Sequence, residues 1–474
     1  MVRRAWFVAL GLGTAWGVAA QPPLLEKPTA SLALEEVLAS VTRHYPLIEA
    51  VRQETQVAQM DLLSAQGGFD PELRARGTVI PIGPYPYTRV DTFVAQATPF
   101  WGANFFGGWR YGSGDIPPYY GNLETLSFGE LRVGANVPLW RNGPIDRRRA
   151  TIERSELGVS VASQAVVASE LDASRTAAHR YWDWVAAGKR KAIAQELFAI
   201  ARERDGQIAQ RVRQGDLPAF ERIDNQRALV QRESQVVAAE RLVQQTALEL
   251  SLFLRTEEGT PLLPSSERLP NFPEPEGTPT VDAEALAGVM SRRPDVARLS
   301  AQANQQRVDA RLASNQEAPL IDVTVAAAKD FGGGNTRLGR PELEVGLSID
   351  IPILNRGARG RTGAARAAAV RADALVQLQK ERSVVEVRDA LSAVDAARQR
   401  VVLARRERDA ARELAKGERT RLNQGDSSLL FVNLREQTAA EAEVREVDAL
   451  AEYFKATATL RAAMALPLRE MEKK

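Results

Sequence analysis

Few side chains in this sequence could carry out chemistry. Among 474 residues there are two histidines, His44 and His179, and no cysteine. The missing cysteine excludes thiol nucleophiles, thiolate zinc sites, iron–sulfur clusters and disulfide frameworks, and it leaves no N-terminal attachment point for a lipid. Each histidine is isolated on a helix-like stretch and reads as a packing residue. No Gly-rich phosphate loop, paired-carboxylate motif or Ser/His/Asp arrangement stands out, and Gly332-Gly333-Gly334 reads as a β-turn. The chain is therefore expected to be no enzyme and to hold no cofactor or metal. With 62 Lys+Arg against 60 Asp+Glu it also lacks the electrostatic footprint of a nucleic-acid binder. The residues that remain conspicuous are two turns, Gly215-Asp216-Leu217 and Gly425-Asp426-Ser427, and two arginine groups, Arg141, Arg147, Arg148, Arg149 and Arg356, Arg359, Arg361. Their meaning depends on the elements that hold them.

Residues 1–20 open with Arg3 and Arg4, run through an apolar stretch from Trp6 and end in Val18-Ala19-Ala20, the layout of a cleaved export signal. No later segment is apolar for eighteen uninterrupted residues, so membrane-spanning helices are not expected. The rest of the chain repeats itself. Val137-Pro138-Leu139-Trp140-Arg141-Asn142-Gly143 has a counterpart in Ile351-Pro352-Ile353-Leu354-Asn355-Arg356-Gly357, and Arg213-Gln214-Gly215-Asp216 has one in Asn423-Gln424-Gly425-Asp426. His44-Tyr45-Pro46 and Arg292-Arg293-Pro294 each sit in the helix-like stretch that opens a half. The predicted organisation is a first repeat over 21–258, an extended Pro-rich connector over 259–281 with no helix of its own, a second repeat over 282–467 and a tail over 468–474.

Each repeat has the order helix, strand pair, very long helix, tight turn, helix. Ile145 to Arg213 is free of proline and rich in helix formers, as is the stretch from about Arg361 to Leu422. At 1.5 Å per residue the first would be roughly 100 Å long, too long for a compact domain. The returning helices carry coiled-coil seams, Val236, Ala239, Val243, Thr246, Leu250, Phe253 and Ala440, Val444, Val447, Ala451, Phe454, Ala458. Small seam residues suit close antiparallel pairs or helical tubes. Four runs alternate strictly between apolar and polar: from Leu73, Leu131, Ile321 and Leu343, each near ten residues. That is the length and period of a transmembrane β-strand with a wet interior, and also of a half-buried soluble sheet. Combined with an export signal and the helix length, the membrane reading prevails. Four strands cannot close a barrel, and open edges are not tolerated in lipid. Three chains would supply twelve.

These features together resemble the TolC-like outer-membrane efflux proteins, over essentially the whole chain after the signal. The duplicated order, the Pro-Leu-Trp-Arg-Asn-Gly and Pro-Ile-Leu-Asn-Arg-Gly segments, the two Gln-Gly-Asp turns and Tyr181-Trp182-Asp183-Trp184 carry the likeness. The resemblance implies an α+β membrane protein and a homotrimer: a twelve-stranded barrel in the outer membrane continuing into an α-helical periplasmic tunnel. It implies a passive exit duct that docks on a periplasmic adaptor protein and an inner-membrane pump. Gly215, Asp216, Leu217, Gly425, Asp426 and Ser427 then lie at the periplasmic tips as adaptor contacts. By themselves these residues also make a complete helix reversal, with glycine supplying positive φ and Asp216 or Asp426 capping the next helix, which Pro218 helps to start. Glu221, Asp224, Leu430 and Phe431 are candidates for the entrance gate, since the stretch after the second tip is apolar where relatives often place acids. The arginine groups would meet outer-membrane lipid phosphates at the inner-leaflet interface or cap the barrel-to-helix junction. Residues 80–128 are irregular and aromatic, with Tyr85, Tyr87, Phe93, Phe100, Trp101, Phe105, Phe106, Trp109, Tyr111, Tyr119 and Tyr120. They read either as an additional hairpin near the outer surface or as a loop over the mouth. The alternative for the whole chain is a secreted or surface-attached coiled-coil protein with a structural or adhesive role.

Overall fold

The computed structural model describes residues 24–25, 31–116, 124–216, 218–277 and 283–468. The expected export signal, Leu217, Tyr119, Tyr120 and residues 469–474 lie outside the described residues. The first half runs α1 (Leu34–His44), α2 (Pro46–Gln66), four strands β2 (Glu72–Ile80), β3 (Tyr87–Ala97), β4 (Asn104–Gly114) and β5 (Glu130–Pro138), then α3 (Arg147–Gln214) and α4 (Ala219–Ser251). The second runs α5 (Ala283–Arg292), α6 (Pro294–Asn315), β7 (Leu320–Asp330), β8 (Glu342–Asp350), α7 (Arg356–Gln424) and α8 (Leu429–Ala463). A short parallel pair, β1 (Leu24–Leu25) with β6 (Leu262–Leu263), ties the segment before α1 to the connector. The duplicated order read from the sequence is present. The connector does contain one short helical turn, a 3₁₀ segment at Ser266–Arg268.

Each half opens with a helix broken by proline for the same reason. The residue before each proline is pushed into extended backbone, Tyr45 at φ −76°, ψ 119° and Arg293 at φ −65°, ψ 118°, and the proline then starts a new helix at its first position. The long helices contain 68 and 69 residues. The Asp146 carboxylate accepts from the Arg149 backbone N–H and caps the start of α3. No helix among the described residues is long and apolar enough to cross a membrane. The seams expected on α4 and α8 do face the interior: Val243, Thr246, Leu250, Val447, Ala451, Phe454 and Ala458 are all buried. An unanticipated seam on α7 meets the one on α8, with Val387, Ala390, Val394, Ala397, Val401, Ala404, Ala411 and Ala415 at heptad spacing. Its alanines let the helices approach closely.

Packing is densest midway along the helices. Trp184 is fully buried, and Trp182 stacks on Phe454 at 4.4 Å and on Phe272 of the connector at 5.6 Å. The Tyr181 hydroxyl donates to the Leu32 carbonyl at 2.7 Å. Connector and N-terminal helix are thereby pinned to α3 and α8, and the helix glycine Gly188 leaves room for Leu269, whose Cδ1 would stand 2.4 Å from an added Cβ. His179 packs here too, its Nε2 within 3.1 Å of the Lys455 carbonyl and 3.0 Å of Thr459 Oγ1. Burial, with Arg175 nearby, lowers its pKa and favours the neutral ring.

The sheet corrects one expectation. It has six antiparallel strands in the order β2-β3-β4-β5-β7-β8, not four. The four alternating runs are all present, but residues 80–128 supply a full hairpin, β3 and β4, inserted between β2 and β5. Its alternation escapes a hydropathy reading because glycine and aromatics fall on both faces: Phe93 and Phe106 lie on the polar side. There Phe93 covers Gly108 and Phe106 covers Gly134, where an added Cβ would meet the rings at 2.4 and 2.5 Å. The count of twelve strands for three copies rests on four per chain; six per chain make eighteen.

Trp182→Ala removes two ring stacks at a fully packed site and is expected to cost about 3–5 kcal/mol, read as a lowered unfolding midpoint. Phe272→Ala should leave helical circular dichroism unchanged while opening the connector to limited proteolysis.

Candidate functional site

Following cross-strand partners through the sheet sorts its residues into two faces. One row runs Arg76, Asp91, Arg110, Glu130, Asp330 across five adjacent strands; the next runs Arg74, Phe93, Gly108, Arg132, Ala328, Glu342. Of the fourteen charged residues in the six strands, thirteen share this face: Arg74, Arg76, Arg89, Arg110 and Arg132 with Glu72, Asp91, Glu130, Asp322, Asp330, Glu342, Glu344 and Asp350. The one exception, Lys329, lies over the Phe331 ring at 5.5 Å at a strand end. Neighbouring opposite charges pair within the face, Arg89 with Asp91 at 2.7 Å, Arg110 with Glu130 and Arg132 with Glu344. The other face presents Leu73, Val79, Val90, Val94, Phe105, Trp109, Leu131, Val133, Val325, Leu343, Val345, Leu347 and Ile349, all exposed in the single chain. A soluble sheet buries such a face. Here nothing among the described residues covers it.

At the far end of the helices both expected turns form. Gly215 has φ 83° and Gly425 φ 86°, and in each turn the N–H of the following aspartate reaches back to a helix carbonyl: Asp216 to Arg211 at 3.0 Å, Asp426 to Arg421 at 2.9 Å. This is the glycine-terminated helix end that positive φ permits. The carboxylates do not cap the next helices, however. The caps are Pro218 for α4 and Ser428 for α8, with no side-chain hydrogen bond, and each aspartate lies two residues before the cap position. Ser427 donates to Glu418. Asp224 and Leu430 come together in a cleft of about 300 Å³ between α3, α4 and α8, lined also by Arg227, Arg232 and Asn433. Glu221 and Phe431 do not line it. Phe431 is exposed, as are Phe220 and Ile223 beside the first tip, two apolar residues that the sequence reading overlooked.

Just above the tips one carboxylate ties four helices. Glu436 of α8, with its side chain 1% exposed, accepts from Arg204 of α3 at 2.9 Å, from Arg419 of α7 at 2.8 Å and from Arg232 of α4 at 3.3 Å. Burial alone would raise its pKa, but hydrogen bonds and positive charge from Arg204 and Arg419 outweigh that and hold it below its ordinary value. Arg204 and Arg232 also reach toward Asn433. In sequence Glu436 is one carboxylate among sixty acidic residues, and no local signal marks it.

At the opposite end, where strands meet helices, Arg149 folds back on its own turn, donating to the Asp146 carboxylate at 2.9 Å and to the carbonyls of Asn142 at 2.7 Å and Gly143 at 2.8 Å. It closes the junction. Arg147 and Arg148 line an open cleft of about 450 Å³ with Asn104, Asn136 and Asp322. Arg356, Arg359 and Arg361 start α7 and are exposed, and the Arg141 backbone N–H reaches the Pro319 carbonyl at 3.4 Å. Exposed Phe100, Trp101, Leu139, Trp140, Ile353 and Leu354 surround these arginines. Phe100 and Trp101 thus stand at the helix end of the sheet, not at its outer end.

Residues 286–466 match the family model described as outer membrane efflux protein. The matched stretch is 181 of the 474 residues and coincides with the second half of the chain. Its fold is similar to the solved outer-membrane channels OprN (15% identity, TM-score 0.66, covering 92% of this chain and 90% of that one) and CmeC of Campylobacter jejuni (14%, 0.65, 96% and 90%). VceC of Vibrio cholerae is a further match (16%, 0.64, 91% and 96%). A search of curated proteins by sequence returns no significant match. At 14–16% identity these likenesses show that the chain shares the fold of those outer-membrane channels. One sheet face is apolar and exposed, the other is charged, and aromatic and basic residues gather where strands meet helices, an arrangement that suits a membrane surface.

Glu436→Ala leaves three guanidinium groups around a buried void and is expected to destabilise the tip by about 3 kcal/mol, with Glu436→Gln intermediate. The lowered carboxylate pKa makes its contribution to stability full above the ordinary value of 4.5 and lost as pH falls through the folded value. Hydrogen exchange at the tip of the wild-type protein should therefore accelerate on acidification below that value, and the acceleration should be blunted in Glu436→Gln.

Proposed function

We propose that this chain forms the exit duct of a tripartite efflux or secretion system, a homotrimer that passes solutes passively across periplasm and outer membrane. The observation that carries it is the sheet with thirteen of fourteen charges on one face, an uncovered apolar face on the other and two open edges. In lipid an open edge is untenable, so copies must join edge to edge. The exposed tips fit a role in docking: Gly215, Asp216, Gly425, Asp426 and Ser427, flanked by Phe220 and Ile223, form an apolar and acidic surface for a periplasmic adaptor, with Leu217, outside the described residues, a further proposed contact by its sequence position, and an inner-membrane pump supplies the energy. Leu430 and Phe431 project beside the entrance and are the proposed constriction, with Glu221 and Asp224 as its acids. Arg147, Arg148, Arg356, Arg359 and Arg361 are the proposed contacts to lipid phosphates; Arg149 is committed to the junction turn.

Extraction should require detergent, and the purified protein should have a mass about three times 51.9 kDa. Recovery as a soluble monomer would refute the reading in favour of a coiled-coil adhesive. In planar bilayers the pore should pass cations over anions, since eight acids and five arginines per chain face the interior. A reversal potential of zero under a salt gradient would contradict this. Phe431→Ala should raise single-channel conductance, and unchanged conductance would remove Phe431 from the constriction.

A further inference from the structure

The inserted hairpin bears on how wide the passage is. Its strands contain eleven residues each, enough to cross the apolar layer at a barrel tilt. They pair with β2, with each other and with β5 over nine, eleven and seven residue pairs, so they are continuous with the wall on both sides. The turn between them is anchored at the helix end: the Thr98 N–H donates to the Ala103 carbonyl at 2.9 Å, Gly102 approaches the Asn142 carbonyl so closely that a Cβ would lie 2.5 Å away, and Trp101 lies against Gly143. The hairpin therefore spans the full height of the sheet. Its charges obey the wall's rule as well, with Arg89, Asp91 and Arg110 on the polar face and Val90, Val94, Phe105 and Trp109 on the apolar one. The free edges lie elsewhere, on β2 and β8, nine residues each and exposed along nearly their whole length.

We propose that β3 and β4 are wall strands, so that three copies joined β2 to β8 close an eighteen-stranded barrel about half again as wide as twelve strands would make. This rests on the trimeric duct proposed above. The membrane section then stops being a size filter. Any bulky water-soluble cargo that the helical tunnel admits can leave through it, and selection by size falls to the periplasmic entrance.

The natural absence of cysteine permits a direct test in reconstituted trimers. Val90→Cys and Val94→Cys should react with a lipid-soluble maleimide, and Arg89→Cys and Phe93→Cys with a water-soluble one. Ala75→Cys combined with Leu347→Cys should cross-link copies up to the trimer with a short bis-maleimide. Replacing residues 81–129 by a short Gly-Ser turn should shrink the barrel seen end-on by electron microscopy by about a third. A trimer in which all four hairpin cysteines react equally with the water-soluble reagent, or a barrel unchanged in width by the deletion, would overturn the wide wall while leaving the duct standing. A detergent-extracted dimer would close only twelve strands and would also overturn it. A soluble monomer would instead refute the duct itself.

Discussion

The rest of the structure depends on the need to satisfy backbone hydrogen bonds along two open sheet edges that border an exposed apolar face. Within the chain every interior strand has two neighbours, but β2 and β8 each have one. Water would repair the deficit for a soluble sheet at little cost. Hydrocarbon cannot, and each unmatched group there costs several kcal/mol. On the membrane reading proposed above, the sheet is completed only when copies join edge to edge in a closed ring, with the helices arranged about the same axis. That one requirement links the strand pattern, the exposed helix faces and the oligomer.

The chain manages its charges according to where water can reach. In the sheet, alternation sends them to a single face, where arginines neutralise acids on the same strand, on the next strand or across one strand, as Arg89 does with Asp91, Arg110 with Glu130 and Arg132 with Glu344. At the tip, where four helices converge, a carboxylate is buried outright and three arginines compensate it. Burial of an ion is expensive unless it is fully partnered, and Glu436 has one partner on each of the other three long helices. Such a site fixes the relative register of helices that meet otherwise through small, slippery alanine seams.

Duplication produced two halves with the same order but unequal membrane sections. The second half retains a single hairpin, β7 and β8; the first contains twice as many strands. Because a β-meander grows by whole hairpins, insertion of two strands preserves which face is wet and leaves both edges where they were. The junction motifs that end the strand pairs are undisturbed by it, which is why they still align between the halves.

Much of this was legible in the residues alone. Proline-free runs from Ile145 and Arg361 determined the long helices, glycine at 215 and 425 determined their reversals, and strict alternation beginning at Leu73, Leu131, Ile321 and Leu343 determined four strands, because these are local consequences of backbone sterics and of period two or 3.6. The hairpin of β3 and β4 was not, since glycine beneath a ring, as at Gly108 and Gly134, lets Phe93 and Phe106 sit on the polar face and breaks the pattern that hydropathy detects. The failure of Asp216 and Asp426 to cap was also hidden, as it depends on where the next helix starts, two residues beyond each aspartate. The Glu436 clamp was invisible for a simpler reason. It joins residues 204, 232, 419 and 436, and only the packing of four helices makes neighbours of side chains that far apart in sequence.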